Sequence, residues 1–379
     1  MSAVSSSNTA FALELFRALS QANPAGNIFV SPLSISSALA MVYLGAKGDT
    51  AAQIAQALSF SSGEGVHAHF QKLNADINSL SASYILKLAN RLYGENTAHF
   101  LPVSNYQADL KTVDFIGAPE VCRAEINSWV EQQTENKIKD LLKPGTVNKD
   151  TRLALVNAVY FKGNWKNLFK ETNTKEMPFE IRQNETVPVQ MMYQKNKLPY
   201  NYIADHDLQI LELPYVGEEL SMFILLPKEL GSFCLNEPFS ASPLLKLLQP
   251  LKLNEWTDGK NMEVHSEVLV HLPKFKLEED YELNDPLAKL GMKDVFCAGR
   301  ADLSGMNGEA GLFLSMVAHK AFVEVNEEGT EAAAATGIVS RSLCYRRARH
   351  FTADHPFLFF IRHNETKSIL FFGRFSSPQ

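Results

Sequence analysis

An enzyme is usually recognised by a nucleophile with its base, a glycine loop that grips phosphate, or a cluster of metal ligands. None of these can be assembled here. There is no G-x-S-x-G elbow, P-loop, H-E-x-x-H helix or dinucleotide fingerprint, and Ser, His and Asp are scattered as in any chain of 379 residues. His67 and His69 are too few for a metal site. Cys122, Cys234, Cys297 and Cys344 lie far apart, with neither zinc nor redox spacing. The sequence therefore argues against an enzyme and gives no reason to expect a cofactor. The unusual chemistry lies at residues 327–345, which run Glu327, Glu328, Gly329, Thr330, Glu331, Ala332, Ala333, Ala334, Ala335, Thr336, Gly337, Ile338, Val339, Ser340, Arg341, Ser342, Leu343, Cys344 and Tyr345.

By propensity this stretch contradicts itself: the consecutive alanines favour helix, while the glycines and the Ser/Arg mixture favour an exposed loop. At period two it becomes orderly. Thr330, Ala332, Ala334, Thr336, Ile338 and Ser340 share one face, all small or apolar and uncharged. Glu331, Ala333, Ala335, Gly337, Val339 and Arg341 share the other, which holds both charges. A strand sends alternate side chains to opposite faces, so the segment could enter a sheet with its small face on a core. Small side chains there would let it slip between strands without overpacking. The plain alternative, an Ala-rich surface loop, fits the parity about equally well, because six residues per face is a short sample.

The elements that must position this stretch follow from the rest of the chain. With 45% hydrophobic and 21% charged residues, the composition is that of a soluble globular protein with ample material for a core. No linker, charge block or repeat divides it, so one large domain over 1–379 is expected. A net charge of −6 gives no general attraction to nucleic acid or anionic membrane. No apolar run approaches the roughly 18 residues of a membrane span. Glu14 and Arg17 interrupt the first apolar stretch, which is unlike a cleavable signal peptide. Free thiols suit a reducing compartment, so a cytoplasmic monomer is expected, with unconventional release left open; the sequons at Asn184 and Asn364 would matter only after secretion.

The first part of the chain reads as helices: 8–20, a buried one from Ser31-Pro32, one opened by a Thr50/Gln53 capping box, 64–79, and 120–143 ended by Pro144-Gly145. Ser83–Tyr93 mixes strand and helix signals, and Val113-Asp114-Phe115 looks like a short strand. Strand signals then dominate at 153–161, 187–192, 208–213, 220–226, 264–272, 313–325, 357–361 and 369–375.

In this order the residues resemble the serpin family over almost the whole chain. Asn27-Ile28-Phe29-Val30-Ser31-Pro32-Leu33-Ser34 is similar to the strand-to-helix junction under the middle of the family's main sheet. Asn157-Ala158-Val159-Tyr160-Phe161-Lys162-Gly163-Asn164-Trp165 resembles the signature on that sheet's third strand. Residues 325–335 resemble the hinge of the reactive-centre loop, and Asp354-His355-Pro356-Phe357 with Gly373-Arg374-Phe375 resembles the C-terminal signature. The short tail suggests the intracellular, ovalbumin-type branch. Residues 101–110, about a turn and a half of helix short, and 230–251, rich in proline, depart from the family pattern.

The resemblance implies an α+β serpin fold: an N-terminal helix cluster packed on large mixed and antiparallel β-sheets, with an exposed reactive-centre loop at about 327–350. It implies a suicide substrate for serine proteases. The enzyme forms an ester at the cut, and the freed segment inserts into the main sheet and drags the enzyme with it. Residues 329–343 would span on the order of 50 Å at ~3.3 Å each. Counting thirteen residues from the hinge Thr330 puts Leu343 at the primary specificity position and Cys344 just after the cut. Leu343 suits apolar pockets, as in chymotrypsin-like, cathepsin G-like or elastase-like proteases; a shift of two residues would put Arg341 there and suit trypsin-like ones. Glu328, Gly329, Thr330, Glu331, Ala332, Ala333, Ala334, Ala335 and Thr336 form the hinge. Ser31, Ser34, Asn157 and His319 match a polar cluster beneath the opening point of the sheet, and Trp165 matches the place where the loop first enters. Each could equally be a satisfied core residue. Arg346, Arg347 and Arg349 are favoured as a solvated rim over an exosite for acidic proteases or polyanions. The rival is a non-inhibitory, ovalbumin-like serpin acting as chaperone, store or binding protein, which tends to carry charged or bulky hinge residues.

Overall fold

The computed structural model describes residues 3–60, 70, 72, 73, 75, 77, 83–101, 110–228, 243–330 and 348–378, with the backbone alone at 3, 4, 243 and 330. Its first half holds α1 (Ala3–Ala22), β1 (Ile28–Val30), α2 (Pro32–Gly45), α3 (Gly48–Ala57), β2 (Tyr84–Glu95), β3 (Leu110–Val113), α4 (Pro119–Gln133) and β4 (Leu153–Asn164). Strands β5 (Lys175–Arg182), β6 (Glu185–Lys197), β7 (Tyr200–Ile203), β8 (Leu208–Pro214) and β9 (Leu220–Pro227) follow. After two short helices come β10 (Glu267–Pro273), β11 (Phe275–Glu282), β12 (Met316–Val325), β13 (Gly329–Thr330), β14 (Arg349–Thr352), β15 (Phe357–His363) and β16 (Ile369–Phe375).

These strands form three sheets. The main one has the order β11-β12-β13-β4-β2-β3, the second β1-β16-β15-β9-β8-β7, and the third β14-β10-β6-β5. In the main sheet every residue of β4 and β12 is buried except Lys162, Asn164 and Glu324, which are half-buried. Continuous apolar runs are expected where both faces are covered. Leu155, Val159, Phe161, Val317, Ala321 and Val323 point to an inner core shared with the second sheet and α2. Ala154, Val156, Ala158, Tyr160, Ala318 and Phe322 point outward, under Ile126 and Val130 of α4. Helix α2 is capped by Ser31, whose side chain accepts from the Ser34 N–H, and Pro32 opens its first turn.

Several local expectations are corrected. The capping box at Thr50 and Gln53 does not form, because both side chains are taken by distant partners. Thr50 Oγ1 accepts from the Asp302 N–H (3.0 Å), and Gln53 Oε1 from the Lys293 and Asp294 N–H groups (both 2.9 Å). The helix expected over 120–143 stops at Gln133. Thr134 Oγ1 donates to the Val130 carbonyl (2.8 Å) and accepts from the Ile138 N–H, and Glu135, Asn136 and Asp140 have positive φ. Ile138, Leu141 and Leu142 are buried from irregular chain, which is why the apolar pattern outlasted the helix. The short strand ends at Val113, and Phe115 lies beyond it with its N–H donated to Glu95 (2.8 Å). β10 begins only at Glu267, and β11, β5 and β7 are strands the periodicity had not singled out. Most of 64–79, residues 102–109 and 229–242 lie outside the described residues.

Candidate functional site

The site is built around the two central strands of the main sheet. β12 and β4 run parallel and pair directly from Met316 opposite Ala154 to Phe322 opposite Tyr160. Beyond that point they part, and the chain leaving β12 turns back between them as β13. Thr330 pairs antiparallel with Val325 on one side and Gly163 on the other, while Gly329 faces Asn164. Two residues of the hinge are therefore already paired in the sheet. The seam below them, closed by the direct pairing of β12 with β4, is the slot that a longer strand would have to open.

The turn that starts this strand is held by named groups. Asn326 Oδ1 accepts from the N–H groups of Glu328 (3.1 Å) and Gly329 (3.2 Å), and the Asn326 N–H donates to the Gly329 carbonyl (2.9 Å). Gly329 has φ of +147°, and a Cβ there would lie 2.2 Å from the Gly163 carbonyl oxygen, so only glycine fits. Trp165 is 2% exposed and stacks on Tyr215 with ring centroids 4.6 Å apart. Its indole donates to the Asn326 carbonyl (3.0 Å) and its N–H to the Glu328 carbonyl (2.8 Å). Glu327 is buried. It accepts from Thr174 Oγ1 (2.7 Å) and pairs with Lys274 (2.9 Å). Burial alone would raise its carboxyl; the hydrogen bonds from Lys274 and Thr174 overrule that and hold it below the usual range.

Under the middle of the slot lies a polar cluster in an otherwise apolar core. His319 and Asn157 are opposite one another in the parallel register, and their side chains are hydrogen-bonded. His319 Nε2 accepts from the Ser31 N–H (3.2 Å), so its proton sits on Nδ1 and is donated to Asn157 Oδ1. Asn157 Nδ2 donates to Ser34 Oγ (2.6 Å) and to Asn90 Oδ1, and Ser31 Oγ donates to the Leu370 carbonyl (2.7 Å). Burial pushes the His319 imidazole down to about 3, so it is neutral across the physiological range. The structure thus gathers Ser31, Ser34, Asn157 and His319 in one network and puts Trp165 at the top of the slot. It adds Asn90, Tyr281, Asn326, Glu327, Lys274 and Thr174, none of which had been singled out in these roles. Tyr281 stacks on His319, with ring centroids 6.2 Å apart and planes 17° apart. Asn90 offered a signal, since an amide is a poor strand former in the middle of the mixed apolar and basic segment that becomes β2.

Of the remaining candidates, Glu331, Ala332, Ala333, Ala334, Ala335 and Thr336, the bond at Leu343 and Cys344, and Arg346 and Arg347 lie outside the described residues. Arg349 opens β14, where Nη2 and Nε meet the Glu263 carboxylate (2.8 and 3.2 Å). Among the described residues, no group of three or more His, Cys, Asp or Glu could hold a metal.

Known proteins are similar to this chain in sequence and in fold. The sequence is 55% identical over 384 residues to the human (Homo sapiens) leukocyte elastase inhibitor, covering 100% of both chains. Uncleaved ovalbumin superposes with a TM-score of 0.87 at 35% identity, again over 100% of both chains. A loop-inserted, cleaved ovalbumin mutant gives the same TM-score of 0.87, identity of 35% and coverage of 100%. The description of the serpin (serine protease inhibitor) family matches residues 6–378. With that match across the chain, a strand started between β12 and β4, and the polar cluster below it, this chain belongs to the serpin family of serine protease inhibitors.

Proposed function

We propose that this protein traps serine proteases with an apolar primary pocket, and that the trap is the slot below β13. The observation that carries this is the register of β13. Extending the pairing of Thr330 with Gly163 and Val325 places Ala332 between Phe161 and Val323, and Ala334 between Val159 and Ala321. It then places Thr336 between Asn157 and His319, and Ile338 between Leu155 and Val317. All of these strand positions face the inner core or the polar cluster within it, so the uncharged face of the hinge is the one that would go inside. The charged Glu331 would instead lie beside Glu324 and Lys162 at the half-buried outer end.

Insertion exchanges the short parallel ladder between β12 and β4 for two antiparallel ladders. At about 1 kcal/mol net per additional hydrogen bond, the gain is on the order of 10 kcal/mol. While the bait is uncut, its far end is tied to β14 and the exchange cannot be completed. Attack by a protease at Leu343–Cys344 releases the amino-side strand with the enzyme esterified to Leu343. Thirteen residues beyond Thr330, at ~3.3 Å each, carry that ester roughly 40 Å along the sheet, far enough to distort the enzyme before water completes hydrolysis. The alanines at 332–335 favour this over a chaperone or storage role, because a strand of small residues passes between packed neighbours without strain.

The name of the relatives points to elastase, and Leu343 fits the apolar pockets of elastase-like, chymotrypsin-like and cathepsin G-like enzymes. The ion pair between Arg349 and Glu263 favours a solvated basic rim with Arg346 and Arg347 over an exosite for polyanions or acidic proteases. Free thiols at Cys122 and Cys297 fit the cytoplasm, and we take the protein as a monomer there. Incubation with chymotrypsin, cathepsin G and neutrophil elastase tests the function. An SDS-stable complex with at least one, and a released peptide beginning at Cys344, are expected. Cleavage of every molecule without complex would leave the non-inhibitory reading.

A further inference from the structure

The amino side of the bait is anchored by Asn326, Glu327 and Trp165; what fixes the carboxyl side has no such obvious device. Among the described residues, β14 is a four-residue strand at the edge of the third sheet, paired with β10 alone. Short edge strands are where sheets open first. The ion pair sits on the first residue of that strand. Arg349 Nη2 donates to Glu263 Oε1 at 2.8 Å and Nε to Glu263 Oε2 at 3.2 Å, the two-pronged geometry that fixes a guanidinium in direction as well as distance. Glu263 is itself immobilised by backbone bonds in both directions. The Glu263 N–H donates to the Tyr200 carbonyl (2.7 Å), and the Tyr200 N–H donates to the Glu263 carbonyl (3.1 Å). Tyr200 is buried in β7, and the Arg349 guanidinium lies 5.9 Å from its ring centroid. The edge strand of the third sheet is thus tied through two side chains to a buried residue of the second.

We propose that Glu263 and Arg349 form a clamp that positions the carboxyl-side end of the bait for attack by the protease. They are positioning residues: neither touches the reacting bond, and they act through β14. Without the clamp the first residues of β14 fray, and the fixed point nearest Leu343 recedes along the chain from Arg349 toward Thr352. A more distant fixed point leaves the attacked bond less well directed, so it is presented less often. Insertion starts at Thr330, at the opposite end, and is driven by the slot between β12 and β4, so the partition after acylation stays as it was. The clamp therefore sets the rate of encounter and leaves the outcome of the encounter alone.

The clamp rests on the inhibitory reading, and a double-mutant cycle separates the two. Glu263→Gln, Arg349→Gln, the double variant and Arg349→Lys are compared with the unaltered chain against chymotrypsin. Each single variant should lower the second-order rate constant about 2- to 5-fold, the range of an exposed ion pair. The double variant should fall no further than either single one, and Arg349→Lys should recover part of the loss. Stoichiometry of inhibition and the thermal midpoint of the uncut protein should stay at the unaltered value. Unchanged rates in all variants overturn the clamp, as do losses that add in the double variant or that follow a falling thermal midpoint. If the unaltered chain is cut without forming a stable complex, the inhibitory reading fails by itself. The clamp is then judged by the same cycle on the rate of cutting.

Discussion

A charge placed on the hinge tests the register directly, because neighbouring positions should respond in opposite ways. Ala334 inserted below β13 would sit between Val159 and Ala321, both 0% exposed and both in the inner core. Ala335 would face the other way, opposite Lys320 and Ala158. Lys320 is buried to 8% exposure, and its ammonium already bonds Glu278 (2.9 Å) and the Lys139 carbonyl (2.8 Å). Ala334→Glu puts a carboxylate among hydrocarbon with no partner, an uncompensated charge of about 3–5 kcal/mol. If half of ~4 kcal/mol is felt in the transition state for insertion, the step slows roughly 30-fold. Ala335→Glu brings the same side chain to a lysine, which offsets much of the desolvation. Titrating chymotrypsin with each variant, and reading complex against cleaved product on a gel, gives the stoichiometry of inhibition. Ala334→Glu should raise it about tenfold or more by diverting attacks to simple cleavage, while Ala335→Glu stays within about twofold of the unaltered chain. Equal losses in both, or a greater loss in Ala335→Glu, would refute the register.

Two further outcomes follow from buried titratable groups. His319, pushed down to about 3 by burial, is neutral in the native state, while its ordinary value is 6.5. Between those values the unfolded chain binds a proton that the native one does not, so stability falls as pH falls, by up to about 1.4 kcal/mol per pH unit. Urea unfolding at pH 7, 6 and 5 should show His319→Gln with a slope shallower by one proton; parallel pH profiles would count against this. Glu327 behaves in the opposite sense, since its native carboxyl is held below the usual range by Lys274 and Thr174. Its contribution is present above that range and lost as pH falls through it. Glu327→Gln should cost about 1 kcal/mol at pH 7, discounted for the 40% exposure of the Lys274 side chain, and progressively less as pH falls below the usual carboxylate range. A loss that persists undiminished in acid would show that packing, not charge, sets the effect.

What could be read from the sequence was whatever is local or periodic. The alternation of small and charged residues from Thr330 to Arg341 is a property of neighbours and so is legible in sequence, while the described pairing reaches only Gly329 and Thr330. The buried helix after Ser31 and the strands at 153–161, 357–361 and 369–375 were visible for the same reason, in largely apolar runs bounded by turn residues. Long-range polar pairing was not visible. Thr50 and Gln53 have the spacing of a capping box, yet both are bonded to the chain near residues 293–302. Likewise nothing near Glu327 shows that Lys274 and Thr174 will meet it, or that Asn90 and Tyr281 will join His319. The end of α4 was misplaced because Ile138, Leu141 and Leu142 are buried whether or not the backbone stays helical. The serpin motifs supplied the residues Ser31, Ser34, Asn157 and His319; the structure supplies the donors and acceptors that join them.

The most direct measurement is the thermal unfolding of the protein before and after its bait is nicked. If the freed segment enters the slot, some 10 kcal/mol of added pairing should raise the midpoint by on the order of 10–20 °C in a chain of this length. A nicked protein that melts where the intact one does would mean the slot stays closed, and that the molecule holds no trap.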